Sequence, residues 1–136
     1  MRSLALAILL TGCAPEATIE IIEPPFLVDS YPGNGSLLPA DQVSPLLLSF
    51  SKAVGNAASA NAHITLEALN ESGDAAAVVA LNACSADAAG LVLECAINGN
   101  LDFATRYRIT LGTGLGFVSG EQLLKAHQRW FQTLPE

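Results

Sequence analysis

Two histidines, His63 and His127, three cysteines, Cys13, Cys84 and Cys95, and thirteen carboxylates are the residues able to carry chemistry in this chain. General acid–base work needs such groups to converge, and their spacing gives no sign of it. His63 stands beside Ile64 at the start of an alternating segment and His127 just before the last one, so both read as solvent-facing or loop residues. No serine sits in a Gly-x-Ser-x-Gly elbow. Asp29, Asp41, Asp74, Asp87 and Asp102 lie in or near turn-rich stretches without the alternate-carboxylate spacing of a calcium loop, which leaves only a site assembled from distant loops. Gly112-Thr113-Gly114-Leu115-Gly116 has the glycines of a phosphate cradle but not the helix that must follow one, and it reads as a turn. Cys84 and Cys95 are eleven apart, without Cys-x-x-Cys spacing or a neighbouring histidine, so a metal site is not expected. The expectation is a non-enzymatic chain with no catalytic residues and no cofactor.

The elements that hold these residues belong to one domain, because 136 residues leave no room for two sizeable cores. Apolar residues make up 51 % of the chain and aromatics only 6 %, enough to bury a core and too apolar for a disordered segment. The net charge of −7 is spread without acidic runs. It argues against nucleic acid, whose phosphates require a basic face. It also opposes binding to an anionic membrane surface through charge.

The first residues point to membrane attachment by another route. Met1-Arg2-Ser3 is followed by the apolar run Leu4–Leu10, which spans about 10 Å as helix against a hydrocarbon core of roughly 30 Å. A basic start, a short apolar stretch and small residues after it describe an export signal. Leu10-Thr11-Gly12-Cys13 resembles the lipobox of bacterial lipoproteins. The resemblance implies a signal peptide over residues 1–12, cleavage after Gly12, and a diacylglyceryl group on the Cys13 thiol with further acylation of the new amino terminus. Two or three chains hold a protein stably, at about 0.8 kcal/mol per buried methylene. Ala14 follows the cysteine where an aspartate would signal inner-membrane retention, so the resemblance implies the outer membrane of the cell envelope. Such proteins mature where disulfides persist. With Cys13 taken by lipid, Cys84 and Cys95 form an even pair, expected as a disulfide, the alternative being two buried free thiols.

Residues 13–25 end in Pro24-Pro25 and read as an extended tether of at most roughly 40 Å. Beyond it a two-residue period dominates. Leu46, Leu48 and Phe50 alternate with Leu47, Ser49 and Ser51; Ile64, Leu66 and Ala68 with Thr65 and Glu67; Leu91, Leu93, Cys95 and Ile97 with Val92, Glu94 and Ala96; Tyr107, Ile109 and Leu111 with Arg106, Arg108 and Thr110. Strands are expected over 26–31, 46–51, 62–69, 76–82, 91–97, 106–112 and 128–134, although the boundaries inside the Ala-rich stretch 75–89 stay open. Seven strands in this length suit an all-β, antiparallel immunoglobulin-like sandwich, similar to fibronectin type III modules, over residues 26–136.

The motifs Val28-Asp29-Ser30-Tyr31-Pro32-Gly33-Asn34-Gly35 and Leu48-Ser49-Phe50-Ser51-Lys52-Ala53-Val54 resemble the opening of the bacterial Ig-like domains of surface-layer proteins. Leu101, Thr105, Tyr107, Ile109 and Leu111 fit a later segment of that pattern, and Gly120, Leu123 and Phe131-Gln132-Thr133 its ending. Leu101 and Tyr107 suit a tyrosine corner, and Phe50 and Phe131 suit core plugs. If Phe131 points inward, alternation turns Trp130 outward, as an interface anchor beside Arg129 and Gln132 or as cover for the sheet edge or for the Gln122–Lys125 loop. The expected function is a lipid-anchored envelope module for adhesion, assembly or spacing. Two other classes compete with it. One is a small-ligand or carbohydrate-binding domain using the loops 29–35 and 112–120, with Tyr31 and Phe117. The other is an accessory subunit that binds an envelope protein by edge-strand addition.

Overall fold

The computed structural model describes residues 23–136; the expected signal peptide, the expected lipidation site Cys13 and most of the expected tether lie outside them. Nine strands form two sheets. They are β1 (Leu27–Tyr31), β2 (Ser36–Leu38), β3 (Leu46–Phe50), β4 (Ile64–Leu69), β5 (Ala75–Val79), β6 (Leu81–Ala86), β7 (Val92–Ile97), β8 (Arg106–Leu111) and β9 (His127–Thr133). One sheet runs β1-β3-β7-β6 and the other β2-β9-β8-β4-β5. They pack face to face as an immunoglobulin-like β-sandwich.

The alternation that marks the strands is the alternation that builds the core. Leu46, Leu48 and Phe50 of β3 and Leu93, Cys95 and Ile97 of β7 are buried on one sheet. Ile64, Leu66 and Ala68 of β4, Tyr107, Ile109 and Leu111 of β8, and Phe131 of β9 face them from the other. Register is locked because a slip of one residue would expose every one of these side chains. Phe50 meets Phe117 edge-on with ring centres 5.6 Å apart, and Tyr107 stacks on its cross-strand neighbour Phe131 at 5.3 Å.

The strand pattern differs from expectation in three places. The segment expected as one strand over 76–82 is two, β5 and β6, which Ala80 alone separates and which belong to different sheets. Residues 62 and 63 do not start β4 but end a 3-10 segment, Ala57–His63. The three-residue β2 pairs in parallel with β9, against the antiparallel rule of the other strands, because the chain leaves β1 through the Pro32–Gly35 turn and crosses to the opposite sheet. A three-residue strand carries too little alternation to register as a period.

Cys84 and Cys95 are direct partners across the β6–β7 hairpin and form a disulfide. The bridge lies within one sheet, unlike the inter-sheet bridge of antibody domains. Asp87 shapes the turn of this hairpin: its Oδ1 accepts the N–H groups of Leu91 and Val92 at 2.9 and 3.2 Å. Replacing both cysteines by serine is expected to lower stability by about 3 kcal/mol, the chain-entropy value for so short a loop. Urea denaturation of the variant beside the oxidised protein measures it; equal midpoints would remove the bridge from the list of stabilising features.

Candidate interaction surface

The residues nominated for chemistry do not converge. Among the described residues, no group of three or more His, Cys, Asp or Glu is placed to hold a metal ion. Nor is any helix among them long and apolar enough to cross a membrane. His63 is exposed at the end of the 3-10 segment, and the glycine-rich stretch closes over it. Gly112 N–H donates to the His63 carbonyl at 2.8 Å, and a Cβ at Gly114 would sit 2.7 Å from His63 Nδ1. Close packing against an imidazole thus explains Gly114, whereas Gly112 lies against the His63 carbonyl and Gly116 has open space beside it. Asp29 accepts the N–H of its β1 neighbour Ser30, and Asp87 that of Leu91 in its own turn.

Tyr107, buried at the base of the arch between β7 and β8, accepts the Asp102 N–H on its hydroxyl at 2.8 Å. Burial is the main reason its pKa lies above the usual 10, so the phenol stays protonated. Leu101 packs half-buried against the core beside it. Thr133, which is fully buried, completes the arch: its hydroxyl donates to the Asp102 carbonyl at 2.7 Å and accepts the Thr105 N–H at 3.0 Å. Nothing local assigns Thr133 a partner in the sequence, since the groups it satisfies lie about thirty residues earlier.

Trp130 and Phe131 take opposite faces of β9, with 38 % and 2 % exposure. Cross-strand registers place Trp130, Arg108, Glu67 and Val78 in one row on the outer face of the five-stranded sheet. Arg108 Nη2 and Glu67 Oε1 pair at 2.9 Å in the middle of that row. Trp130 also anchors the first turn, donating its backbone N–H to Asn34 Oδ1 and accepting the Gly35 N–H on its carbonyl. Leu37 on β2 and Val78 on β5 extend the face at 59 % and 71 % exposure. Four of the five lysines and arginines among the described residues, Arg106, Arg108, Lys125 and Arg129, fall on β8, β9 or the loop just before β9. The outer face of the four-stranded sheet carries Asp29 and Glu94 instead.

A groove of about 530 Å³ opens at one end of the sandwich, lined by Pro39, Asp41, Ile97, Asn100, Leu101 and Phe103 among others. Phe103 is 52 % exposed there. This is not where the aromatics nominated for ligand binding lie. Phe117 is buried against Phe50, and Tyr31 turns its hydroxyl to the Gln42 carbonyl at 2.6 Å. Phe103 falls in a stretch without periodicity, so nothing local distinguishes it from a core residue.

No protein-family model matches the chain, and no curated protein matches it. Solved structures do. The surface-layer protein SbsC matches with a TM-score of 0.60 and 13 % identity over 82 % of this chain, which spans only 14 % of the SbsC chain. PcoC, a methionine-rich copper resistance protein from Escherichia coli, matches at 0.60 and 16 % identity over 82 % of this chain and 99 % of its own. CopC from Methylosinus trichosporium OB3b matches at 0.51 and 15 % identity, over 82 % and 95 % of the two chains. At these identities the likeness is one of fold. The present chain has a single methionine, Met1.

His127 yields a pH effect. Partial burial, then Arg129 and Lys125, hold its imidazole below the usual 6.5. The unfolded chain therefore binds this proton more readily, and the native state loses stability as pH falls below 6.5 toward the folded pKa. His127→Gln is expected to flatten that part of the stability–pH curve; an unchanged slope between the two proteins would refute the assignment.

Proposed function

We propose that this chain is a non-enzymatic, lipid-anchored Ig-like module of the bacterial envelope, holding or spacing partners at the membrane surface. The observation that carries this reading is the pairing of a lipobox-like Leu10-Thr11-Gly12-Cys13 with a disulfide-closed sandwich that begins only about a dozen residues later. The disulfide agrees with a compartment outside the cytoplasm. The fold likeness to surface-layer domains and to copper resistance proteins supports a module of this architecture. The acyl chains on Cys13 hold it to the membrane, with the outer membrane as its seat, and its partner is an envelope protein or a glycan, not a nucleic acid.

Intact mass of the protein extracted from membranes tests the anchor. A chain beginning at Cys13, heavier by two or three acyl groups and gaining two hydrogens on reduction, is expected. An unmodified chain that keeps residues 1–12 sinks the lipoprotein reading.

The groove beside Phe103 favours a second reading, binding of a saccharide. Its apolar floor of Pro39, Ile97 and Leu101 suits the C–H face of a sugar ring, and Asp41 and Asn100 can meet its hydroxyls. On a glycan array the protein is then expected to retain a defined set of sugars, and Phe103→Ala to weaken that retention about tenfold. Retention unaffected by Phe103→Ala would place the sugar elsewhere.

A further inference from the structure

The two ends of the sandwich are built differently. At one of them β3 and β8 finish and β1, β4, β7 and β9 begin. Residues 50–54 gather the loops of that end. Phe26 donates its N–H to Ser51 Oγ at 2.9 Å and accepts the Ser51 N–H on its carbonyl at 3.0 Å. The Leu91 carbonyl accepts the Phe50 N–H at 2.8 Å, and the Ala53 carbonyl accepts the Val118 N–H at 2.9 Å. Val118 stands in a turn that the Gly120 N–H closes onto the Phe117 carbonyl. Leu123 is buried and donates its N–H to the Leu115 carbonyl at 3.2 Å, which leaves Leu124 outside. Phe26, Leu91, Val118 and Leu124 thus bring exposed apolar side chains to one end, the last two at 73 and 74 % exposure.

The same end is where the chain from Cys13 arrives. β1 starts at Leu27, opposite Phe50, and runs away from this end to Tyr31, opposite Leu47. The two hydrogen bonds between Phe26 and Ser51 pin the point of arrival within the apolar patch. Charge also separates the two ends. Among the described residues, the far end sets Asp41, Glu71, Asp74 and Asp102 against Arg106. The near end has Lys125 and the pair Lys52–Glu121, closed at 2.7 Å, beside Glu23 and Asp87. Asp87 spends one carboxylate oxygen on the N–H groups of Leu91 and Val92.

We infer that this end of the sandwich rests on the lipid surface, with Phe26, Leu91, Val118 and Leu124 in the interfacial layer. The inference rests on the lipid-anchored reading and deepens it, since the folded domain itself becomes part of the membrane contact. Twelve residues separate Cys13 from Phe26 and reach at most roughly 40 Å, so the patch stays close to any acyl chains on Cys13. A contact too weak to hold a free protein becomes intramolecular under such a tether and is populated. Exposed apolar loop tips gain by leaving water for the headgroup boundary. The net charge of −7 offers little opposition, because β8, six residues long, holds the far acidic groups about 20 Å away. That is more than two Debye lengths of about 8 Å. The groove beside Phe103, at the far end, then opens away from the membrane.

The test uses the acylated protein, extracted from membranes and reconstituted in vesicles of phosphatidylethanolamine and phosphatidylglycerol that contain a spin-labelled phospholipid. A polarity-sensitive fluorophore is placed on Val118→Cys, on Leu124→Cys, and on Ser72→Cys in the exposed far turn as control. The labels at 118 and 124 are expected to shift to the blue and to be quenched several-fold more than the label at 72. Adding Val118→Glu to Leu124→Cys is expected to reduce the quenching at 124 several-fold, with the unfolding midpoint unchanged. Equal quenching at all three positions overturns the inference, and so does quenching that Val118→Glu leaves unaltered. Intact mass of the same preparation reports the anchor separately. An acylated chain with unquenched labels fails this inference alone, whereas an unmodified chain that keeps residues 1–12 sinks both readings.

Discussion

The stacked pair of Tyr107 and Phe131 is the contact on which the rest of this sandwich depends. The rings face each other across β8 and β9 at 5.3 Å, both in the core. Their position fixes the register of the two strands, and that register in turn aligns β4 on one side and β2 on the other. The Tyr107 hydroxyl and the Thr133 hydroxyl then hold the arch at residues 102–105, which carries the chain from one sheet to the other. A core with few aromatics concentrates its ordering in such places, because aliphatic side chains fill volume without fixing direction.

The same economy shows at the periphery. The 75–89 stretch is rich in alanine and has little to bury, and it is here that the disulfide sits. A covalent tie between β6 and β7 holds an edge that packing would leave loose, by restricting the unfolded chain instead of adding native contacts. β5 lies just before that tie and receives no such help. Its bare edge and the groove beside Phe103 are both surfaces that the scaffold presents without covering.

The first turn shows how local chemistry and tertiary geometry cooperate. Pro32-Gly33-Asn34-Gly35 was legible as a turn from composition alone. Only the fold shows that Asn34 and Gly35 bond the backbone of Trp130, nearly a hundred residues on, and so steer β2 into parallel pairing with β9.

The central strands β3, β4, β7 and β8 could be read from the chain itself, because each buries a large apolar side chain at every second place and leaves smaller or polar ones such as Ser49, Glu67, Glu94 and Arg108 between them. The hairpin pairing of Cys84 with Cys95 could be expected for a related reason, as both cysteines are equidistant from Ala89-Gly90. The sandwich class follows from the number and length of such segments. Tertiary structure alone decided the split of β5 from β6, because an alanine run has no alternation and its sheet membership depends on which neighbour offers hydrogen bonds. It likewise decided that Phe117 is core and Phe103 is surface. An isolated aromatic outside a periodic segment acquires its environment only from what folds around it.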